Sequence, residues 1–559
     1  MIFVVLCITS IQYTSRTRDE ARHLVRGTML LETGDFRLNK HHPLLANVLN
    51  AIPVRFIKDI TIPSTDSEHW ENADKDKLAT EFVDSNGGSR TFVPTILNPA
   101  RIVTIVAIAL SGIVFYMLLQ QEWGTEVAGI ATFLYLFSPN MIAHSQLVTT
   151  DAWIVPMIFF STFFLYRYMR SQTRLHLILF ATTVFFALIT KFSTIPIACF
   201  WLIALFAFQY NRITIKKPLY KKCIIAIRLP IILVVSWSIL LWASYGCRFE
   251  TMTSTNHADT KRTEMHMDNI SGLTSSIRFL REPLQNIYLY LPVPFPEYTQ
   301  GFFENVILHD EYGHDSFLFG MYRNKGWWYY FPLTILIKEP ITTVVGIITI
   351  TSIACIHIVH RLQNTNITRI VSRLRSLHVS PKSMLIATPL FFLIVSMNSS
   401  INLGIRHILP ILPFIYVAMA VYAHRYWQKT LLHKAAIVVL LCWFGISSFS
   451  IHPHYLEYFN ELIGGPRNGY LYLLDSNLSW GQNKFLVDDY IDSLPPETNV
   501  YFNPLEEVTS GIVIYDVDIL MGRDSAKRDK TAWLREPLLR GDIEPIDRIA
   551  YTHMVFSVD

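Results

Sequence analysis

Long runs of apolar residues, separated by polar stretches, dominate the chain. Runs of about 18 or more apolar residues are typical of membrane-spanning helices, because lipid offers the backbone no hydrogen-bond partners other than its own. A shorter run, Ile2 to Ile11, lacks the basic region and cleavage site of a signal peptide, so it predicts a clipped first helix. The pattern predicts eleven crossings, the other ten at 101–119, 125–143, 152–169, 175–190, 193–209, 223–245, 331–359, 384–397, 403–424 and 433–451.

Two long polar segments interrupt these runs, one from Thr14 to Ala100 and one from Arg248 to Trp328. Within the first, Leu44 to Ile57 has the length and mixed polarity of a helix that lies along the membrane interface. Pro63 to Arg90 is polar, acidic and glycine-containing, which is typical of an exposed loop.

The last stretch of the chain, 452–559, is of mixed character. It predicts a small extracytoplasmic α/β domain that follows a transmembrane domain over 1–451. The predicted strands are Gly469 to Leu474, Asn499 to Phe502, Gly511 to Leu520 and Ile549 to Val558, with a helix from Gln482 to Ser493.

The distribution of Lys and Arg predicts the orientation, because basic residues in short connections favour the cytoplasmic side. The only Lys or Arg residues in the alternate connections 144–151, 190–193 and 398–406 are Lys191 and Arg406. We therefore expect both long polar segments and the C-terminal domain to face outward, from what we expect to be a bacterial inner membrane. Three, five, five and three basic residues occupy connections 167–174, 211–222, 360–383 and 425–434.

Composition supports a membrane protein and argues against nucleic acid as a partner. Apolar residues make up 51% of the chain and charged residues 16%, which is outside the average for soluble proteins. The formal charge of +4 is small for 559 residues, and the basic residues form no stripe that would follow a nucleic-acid backbone.

An acidic pair, Asp19-Glu20, follows the first apolar run. Two acids here would be explained if they simply capped the next helix. However, Glu32, Asp35 and the pair His41-His42 follow within the same polar segment. This concentration of acids and imidazoles beside the bilayer favours a functional site.

Other ionisable residues lie near or within apolar runs, where charge is costly and is usually retained for function. Asp151 opens an apolar run after two threonines, where helix capping is the alternative role. Lys338 is followed by Glu339, and a self-neutralising pair is the alternative there. Lys191 is predicted to be a turn residue between two helices.

A cation and an aromatic run lie at two further boundaries between polar and apolar segments. Arg406, followed by His407, precedes an apolar run, where a guanidinium is suited to bind a phosphate. Four consecutive aromatic residues would suit a sugar-stacking wall or a lipid-chain groove, or only an aromatic belt at the headgroups. They are Trp327, Trp328, Tyr329 and Tyr330.

These motifs follow one another in the order Asp19-Glu20, His42-Pro43, Pro139-Asn140, Ala143-His144, Asp151, Gly326-Trp327-Trp328, Lys338-Glu339-Pro340, Gly404-Ile405-Arg406-His407, Tyr458-Phe459-Asn460-Glu461 and Asp475 to Gln482. The order resembles that of the GT-C glycosyltransferases that use a polyprenyl-phosphate sugar. More narrowly it is similar to family 39, the protein O-mannosyltransferase-like and aminoarabinose-transferase-like enzymes. The resemblance covers nearly the whole chain.

The resemblance implies an undecaprenyl or dolichyl phosphate sugar as donor, a protein or glycolipid acceptor, and no indicated divalent metal. It implies Asp19 as the base of an inverting displacement, with Glu20 and Asp151 in supporting catalytic roles. Ser479 stands where relatives often have Asp, so the tail motif is expected to have no catalytic role, and Pro43-Leu44 replaces a double proline. The implied substrate-binding residues are His42, Trp327, Trp328, Tyr329, Tyr330, Lys338, Arg406 and His407.

Two other classes of function remain open on the sequence. A secondary transporter also contains intramembrane charges, but it usually has two related halves. The two long polar segments of this chain are unlike each other. A receptor or scaffold with purely structural carboxylates is the second alternative.

Overall fold

The computed structural model describes residues 1–213, 218–251, 291–302, 305, 313–363 and 379–558. Within these residues, six helices are long and apolar enough to cross a membrane, and a bent pair of helices would make a seventh. Every apolar run predicted from the sequence contains helix. A polytopic α-helical membrane fold is therefore confirmed, while eleven crossings remain a prediction. The basic connections 211–222 and 360–383 lie partly outside the described residues.

The helices of the first half alternate between short helices in the polar segment and long apolar ones. They are α1 (Ile2–Ile11), α2 (Glu20–Thr33), α3 (Leu44–Ala51), α4 (Glu68–Glu71), α5 (Lys75–Asp84), α6 (Gly88–Phe92), α7 (Asn98–Trp123), α8 (Thr125–Phe137), α9 (Pro139–Ser145), α10 (Asp151–Ser171), α11 (Arg174–Leu188), α12 (Thr194–Arg212) and α13 (Leu219–Ser244).

The helices of the second half include the last long apolar ones and three that belong to the C-terminal region. They are α14 (Pro296–Phe302), α15 (Tyr330–Lys338), α16 (Ile341–Gln363), α17 (Met384–Met397), α18 (Leu412–Trp427), α19 (Leu431–Ser450), α20 (Lys484–Ser493), α21 (Val517–Leu520) and α22 (Ala532–Arg540).

Proline interrupts three of the predicted runs, since its ring removes a backbone donor and clashes with the preceding turn. The run 125–143 bends by 60° between α8 and α9, where Pro139 begins the second helix. The run 331–359 breaks between α15 and α16, where Glu339 is extended before Pro340. The run 403–424 begins with two 3₁₀ turns before α18.

The first polar segment is more ordered than its composition indicates. The prediction of an exposed loop at 63–90 is wrong, because α4, α5 and α6 lie there. They bury Trp70, Leu78 and Phe82 in an apolar cluster with residues of α2 and α7. The helix predicted over 44–57 is confirmed as α3 followed by a 3₁₀ turn.

The C-terminal region contains a four-stranded sheet of order β5-β6-β8-β7. β5 and β6 are parallel, whereas β8 is antiparallel to both β6 and β7, with Gly511 opposite Val558. The strand predicted at 469–474 is wrong, since Pro466–Leu471 forms a 3₁₀ helix. The strands of this sheet are β5 (Val500–Phe502), β6 (Gly511–Asp516), β7 (Asp547–Ile549) and β8 (His553–Val558), and the described residues before it contain β1 (Phe249–Glu250), β2 (Val293–Pro294), β3 (Ser316–Leu318) and β4 (Met321–Arg323).

Two further sequence predictions in this region are refined. The strand predicted over 511–520 ends at Asp516, whose side chain accepts a hydrogen bond from the Asp518 amide and caps α21. The strand predicted over 549–558 is two strands, β7 and β8. The predicted helix is confirmed as α20, which packs Val487 against Ile514 and Val555 of the sheet. The boundary at 451/452 remains a prediction.

Candidate active site

A cavity of about 790 Å³ lies where the first polar segment, the starts of several long helices and the C-terminal region meet. Segments from distant parts of the sequence contribute to its lining, so it forms only in the folded chain. Its charged lining residues are Arg18, Asp19, Arg22, Asp151, Lys191, Arg406, Asp475 and Arg523.

Five of these residues form a continuous chain of alternating charges. Arg406 Nη1 lies 3.3 Å from Asp19 Oδ2 and 3.6 Å from Asp151 Oδ2, so one guanidinium bridges two carboxylates. Asp151 also accepts a hydrogen bond from Lys191 Nζ at 2.5 Å. Arg22 Nη1 binds the other oxygen of Asp19 at 2.9 Å.

The two carboxylates do not serve as helix caps. Asp19 occupies the N-cap position of α2, yet its side chain makes no capping hydrogen bond. Asp151 is the first residue of α10, and both of its ion pairs are with cations from other segments. Capping therefore does not explain either acid, and both remain available to the cavity.

Asp19 is the more accessible of the two carboxylates, with a side chain 25% exposed against 5% for Asp151. Burial alone would raise the pKa of Asp19, but the charges of Arg406 and Arg22 outweigh it and lower the pKa below its usual value. Asp19 is therefore ionised at neutral pH, which is the state that a general base requires.

Glu20 is placed differently from its neighbour Asp19. It is fully buried and binds Arg101 through both carboxylate oxygens, at 2.8 and 2.7 Å. The backbone amides of Thr17 and Val148 donate to the same carboxylate. Glu20 does not line the cavity, and these contacts give it a structural role in joining the first segment to α7.

Imidazoles also line the cavity. His23 and His42 lie with their ring centroids 4.8 Å apart, and His23 Nδ1 is bonded to Asn47. Burial lowers the pKa of His23 to about 4 and that of His42 well below its usual value, so both rings are neutral. His42 Nδ1 has no hydrogen-bond partner in the part of the chain that the structure describes, and His407 also lines the cavity.

Lys338 and Glu339 lie away from the cavity and do not neutralise each other by direct contact. Lys338 Nζ donates to the carbonyls of Leu456 and Asn477, at 2.9 and 2.6 Å. Glu339 accepts hydrogen bonds from Asn140 and Tyr416. Lys338 therefore joins α15 to the C-terminal region, and its role in substrate binding stays a prediction.

The aromatic run also lies outside the cavity lining. Trp327 is buried, with its amide bonded to Asn402, and Tyr330 accepts a hydrogen bond from Asn477. By contrast, the side chain of Trp328 is 67% exposed, and that of Tyr329 is half-buried. The aromatic side chains that do line the cavity are Phe192, Phe331, Phe392 and Trp480.

Sequence reasoning missed several residues of the site, among them Lys191, Trp480 and Arg523. Lys191 was predicted as a turn residue, but it pairs with Asp151. A single lysine between two apolar runs was the sequence feature that could have indicated a role for Lys191 in the site. Trp480 and Arg523 reach the cavity from the C-terminal region, where Arg523 binds Asp475 at 2.6 Å. Nothing in their local sequence shows that they meet α2 and α10.

No group of three or more metal-binding side chains is present among the described residues. No curated protein matches the sequence at a significant level. The chain is similar to the crystal structure of ArnT from Cupriavidus metallidurans bound to undecaprenyl phosphate, with 11% identity, a TM-score of 0.42, and coverage of 99% of this chain and 96% of that chain.

A second solved structure is similarly distant. It is the archaeal oligosaccharyltransferase AglB from Archaeoglobus fulgidus in complex with an inhibitory peptide and a dolichol-phosphate, with 11% identity, a TM-score of 0.40, and coverage of 89% of this chain and 58% of that chain.

The family comparison is more direct. Residues 96–237, which run from α7 into α13, match the model of the dolichyl-phosphate-mannose-protein mannosyltransferase family. The matched part contains Asp151 and Lys191. Over these residues, the match confirms the resemblance of the chain to the family 39 glycosyltransferases of the GT-C type.

Proposed function

We propose that the protein transfers a sugar from a polyprenyl-phosphate donor to a hydroxyl or phosphate of a protein or lipid acceptor, at the outer face of the membrane. The observation that carries this proposal is the pair of carboxylates, Asp19 and Asp151, bridged by Arg406 in one cavity. The family match over 96–237 supports the reaction class.

The proposed reaction is a direct displacement with inversion at the anomeric carbon. The acceptor oxygen forms a bond to that carbon while the bond from the carbon to the phosphate oxygen breaks. The phosphate leaves with the electron pair, and Asp19 takes the proton of the acceptor. A carboxylate of low pKa suffices as base, because the acceptor hydroxyl becomes acidic only as its new bond forms.

The departing lipid phosphate is proposed to bind Arg406. Its buried Nε has no hydrogen-bond partner among the described residues, so it has a donor to spare for a phosphate oxygen. The unpartnered nitrogen of the neutral His42 is a second candidate contact. Developing negative charge on the phosphate would be stabilised by cations already fixed in place.

The apolar end of the cavity suits the hydrocarbon chain of such a donor. Ile197 of α12 and Phe392 and Ile394 of α17 line this end. Ile394 is also 56% exposed, so the apolar end reaches the surface of the helix bundle. A donor held here would keep its chain in lipid and its phosphate near Arg406.

The composition of the cavity lining supports the proposed orientation. The charge pattern predicts that the first polar segment, connections 144–151, 190–193 and 398–406, and the C-terminal region all face outward. The cavity draws a residue from each of them, including Asp151, Lys191 and Arg406. One shared site would be impossible if these segments lay on opposite sides of the membrane.

The proposed reaction is tested by mass spectrometry of glycoconjugates from cells with and without the protein. A glycoconjugate that loses one sugar in the absence of the protein is the expected result. Unchanged glycoconjugates, together with no transfer from any polyprenyl-phosphate sugar by the purified protein, would contradict the proposal and favour a transporter or a scaffold.

Reporters fused after Ser450, the last residue of α19, should report an extracytoplasmic location. The reason is the basic-residue asymmetry of the connections. A pair of reporters active on opposite sides of the membrane provides the measurement, with a fusion after Lys429 as the cytoplasmic control. A cytoplasmic signal after Ser450 would separate the C-terminal region from the proposed site.

Arg406→Ala should weaken donor binding more than Arg406→Lys, because an ammonium retains part of the attraction for phosphate and loses only the planar fork. We expect a rise in donor KM of about 10-fold or more for Ala, on the scale of a charge-assisted hydrogen bond. Titration of the donor in detergent measures it. If both variants bind donor as the wild type does, the phosphate is held elsewhere.

A further inference from the structure

The indole of Trp480 covers the guanidinium of Arg406. The ring centroid of Trp480 lies 4.2 Å from Arg406 Cζ, within the range of a cation–π contact. Trp480 is only 3% exposed, so this contact is shielded from water. The C-terminal region thus supplies the surface on which the central cation of the cavity rests.

Arg406 has few other contacts that would fix the plane of its guanidinium. Its two ion pairs, at 3.3 Å to Asp19 and 3.6 Å to Asp151, both use Nη1, and Nε is unpartnered among the described residues. Stacking holds the guanidinium by its face. The N–H groups lie in the plane of the guanidinium, so stacking on its face leaves those that the two carboxylates do not use, including the Nε–H, able to donate to a ligand.

Trp480 is itself held by hydrogen bonds within the segment 480–482 and between this segment and the segment 15–18. Its amide donates to Gln482 Oε1 at 2.7 Å, and its carbonyl accepts from the Arg18 amide at 2.9 Å. The Ser15 amide donates to the carbonyl of Gln482 at 2.8 Å. These hydrogen bonds therefore join the C-terminal region to the residues that directly precede Asp19.

We propose that Trp480 is a positioning residue that holds Arg406 in the orientation from which it binds both the catalytic carboxylate and the donor phosphate. This inference rests on the proposed function, since the ligand of Arg406 is the phosphate of the donor. The tail motif, expected from the sequence to have no catalytic role, then acts on the reaction through Arg406 without touching the substrate.

The test measures binding of radiolabelled undecaprenyl phosphate to the purified full-length protein, together with its melting temperature. Trp480→Leu removes the aromatic face, and we expect its Kd to rise about 10-fold. Trp480→Phe keeps a smaller face and should raise the Kd about threefold. If the Leu variant fails to fold, the Phe variant still decides the question.

Trp201→Leu is the matched control. Trp201 is fully buried and donates to Thr388 between helices, away from the cavity lining. Its loss should lower the melting temperature without changing the Kd. If the Kd of the Trp480 variants rises only because they are less stable, the Kd of Trp201→Leu should rise as well. An equal rise in the Kd of Trp201→Leu would overturn the inference.

A double variant separates action through Arg406 from an independent effect. In the Arg406→Ala background, Trp480→Leu should cause little further loss of binding, because its target is gone. Fully additive losses, or an unchanged Kd for both Trp480 variants, would overturn the inference. If the wild type binds the phosphate but transfers no sugar, the proposed function fails while this coupling is still measured.

Discussion

Asp19→Asn is expected to abolish measurable sugar transfer while the protein stays folded. The variant keeps the size of the side chain and one of its two acceptor oxygens, but an amide cannot take the proton of the acceptor hydroxyl. Loss of general-base assistance costs roughly 10² to 10⁴ in rate. Transfer from a labelled polyprenyl-phosphate sugar by purified protein measures it. Asp151→Asn and Glu20→Gln should be impaired less severely.

Equal melting temperatures and equal affinity for undecaprenyl phosphate of the wild type, Asp19→Asn and Asp151→Asn are the controls for this comparison, whereas Glu20→Gln breaks the buried pair with Arg101 and should melt lower. Substantial turnover by Asp19→Asn would move the base to Asp151. The pH profile gives an independent check. Because the pKa of Asp19 is lowered, the wild-type rate should show no acidic limb from this group above about pH 4, the ordinary range of an aspartate.

Arg101→Met should cause the largest loss of stability of any single change proposed for this chain. It leaves the carboxylate of Glu20 buried without its cation, and breaking a buried ion pair in this way typically costs about 3–5 kcal/mol of unfolding free energy. Thermal unfolding in detergent measures the effect.

Arg90→Met is the matched control for the loss of a guanidinium. Arg90 pairs with Asp489 at the surface, where both side chains are more than half exposed, so its removal should change the melting temperature little. The double variant Glu20→Gln/Arg101→Met should recover much of the loss, because neither partner then carries an unpaired charge. Equal melting of Arg101→Met and wild type would show that Glu20 is satisfied without Arg101.

The sequence was sufficient for the helical membrane fold, because apolar runs report burial in lipid directly. It was less reliable where local composition and tertiary burial disagree. The segment 63–90 is polar along its length, yet Phe82 and two other apolar side chains are spaced so that α4 and α5 bury them against α2. Such a helix is stabilised by its partner and not by its own composition.

The candidate site was predicted in part for the same physical reason. Asp19, Asp151 and Arg406 were found because charges beside apolar runs are costly, and the cavity brings all three together. The same rule selected Lys338, but cost alone does not distinguish a ligand-binding cation from one that binds buried carbonyls. Trp480 lies in the motif Asp475 to Gln482, but nothing in that motif shows its contact with Arg406, which is visible only in the folded chain.

The hydrogen bonds between the segments 15–18 and 480–482 also constrain the order in which the site is assembled during synthesis. The hydroxyl of Ser15 donates to the carbonyl of Gly481, which lies 466 positions later in the sequence. During synthesis, Asp19 is therefore in place long before Trp480 leaves the ribosome. Chains that have not yet been translated past Trp480 lack the aromatic contact that orients Arg406, so we expect them to bind the donor phosphate more weakly until the C-terminal region has docked.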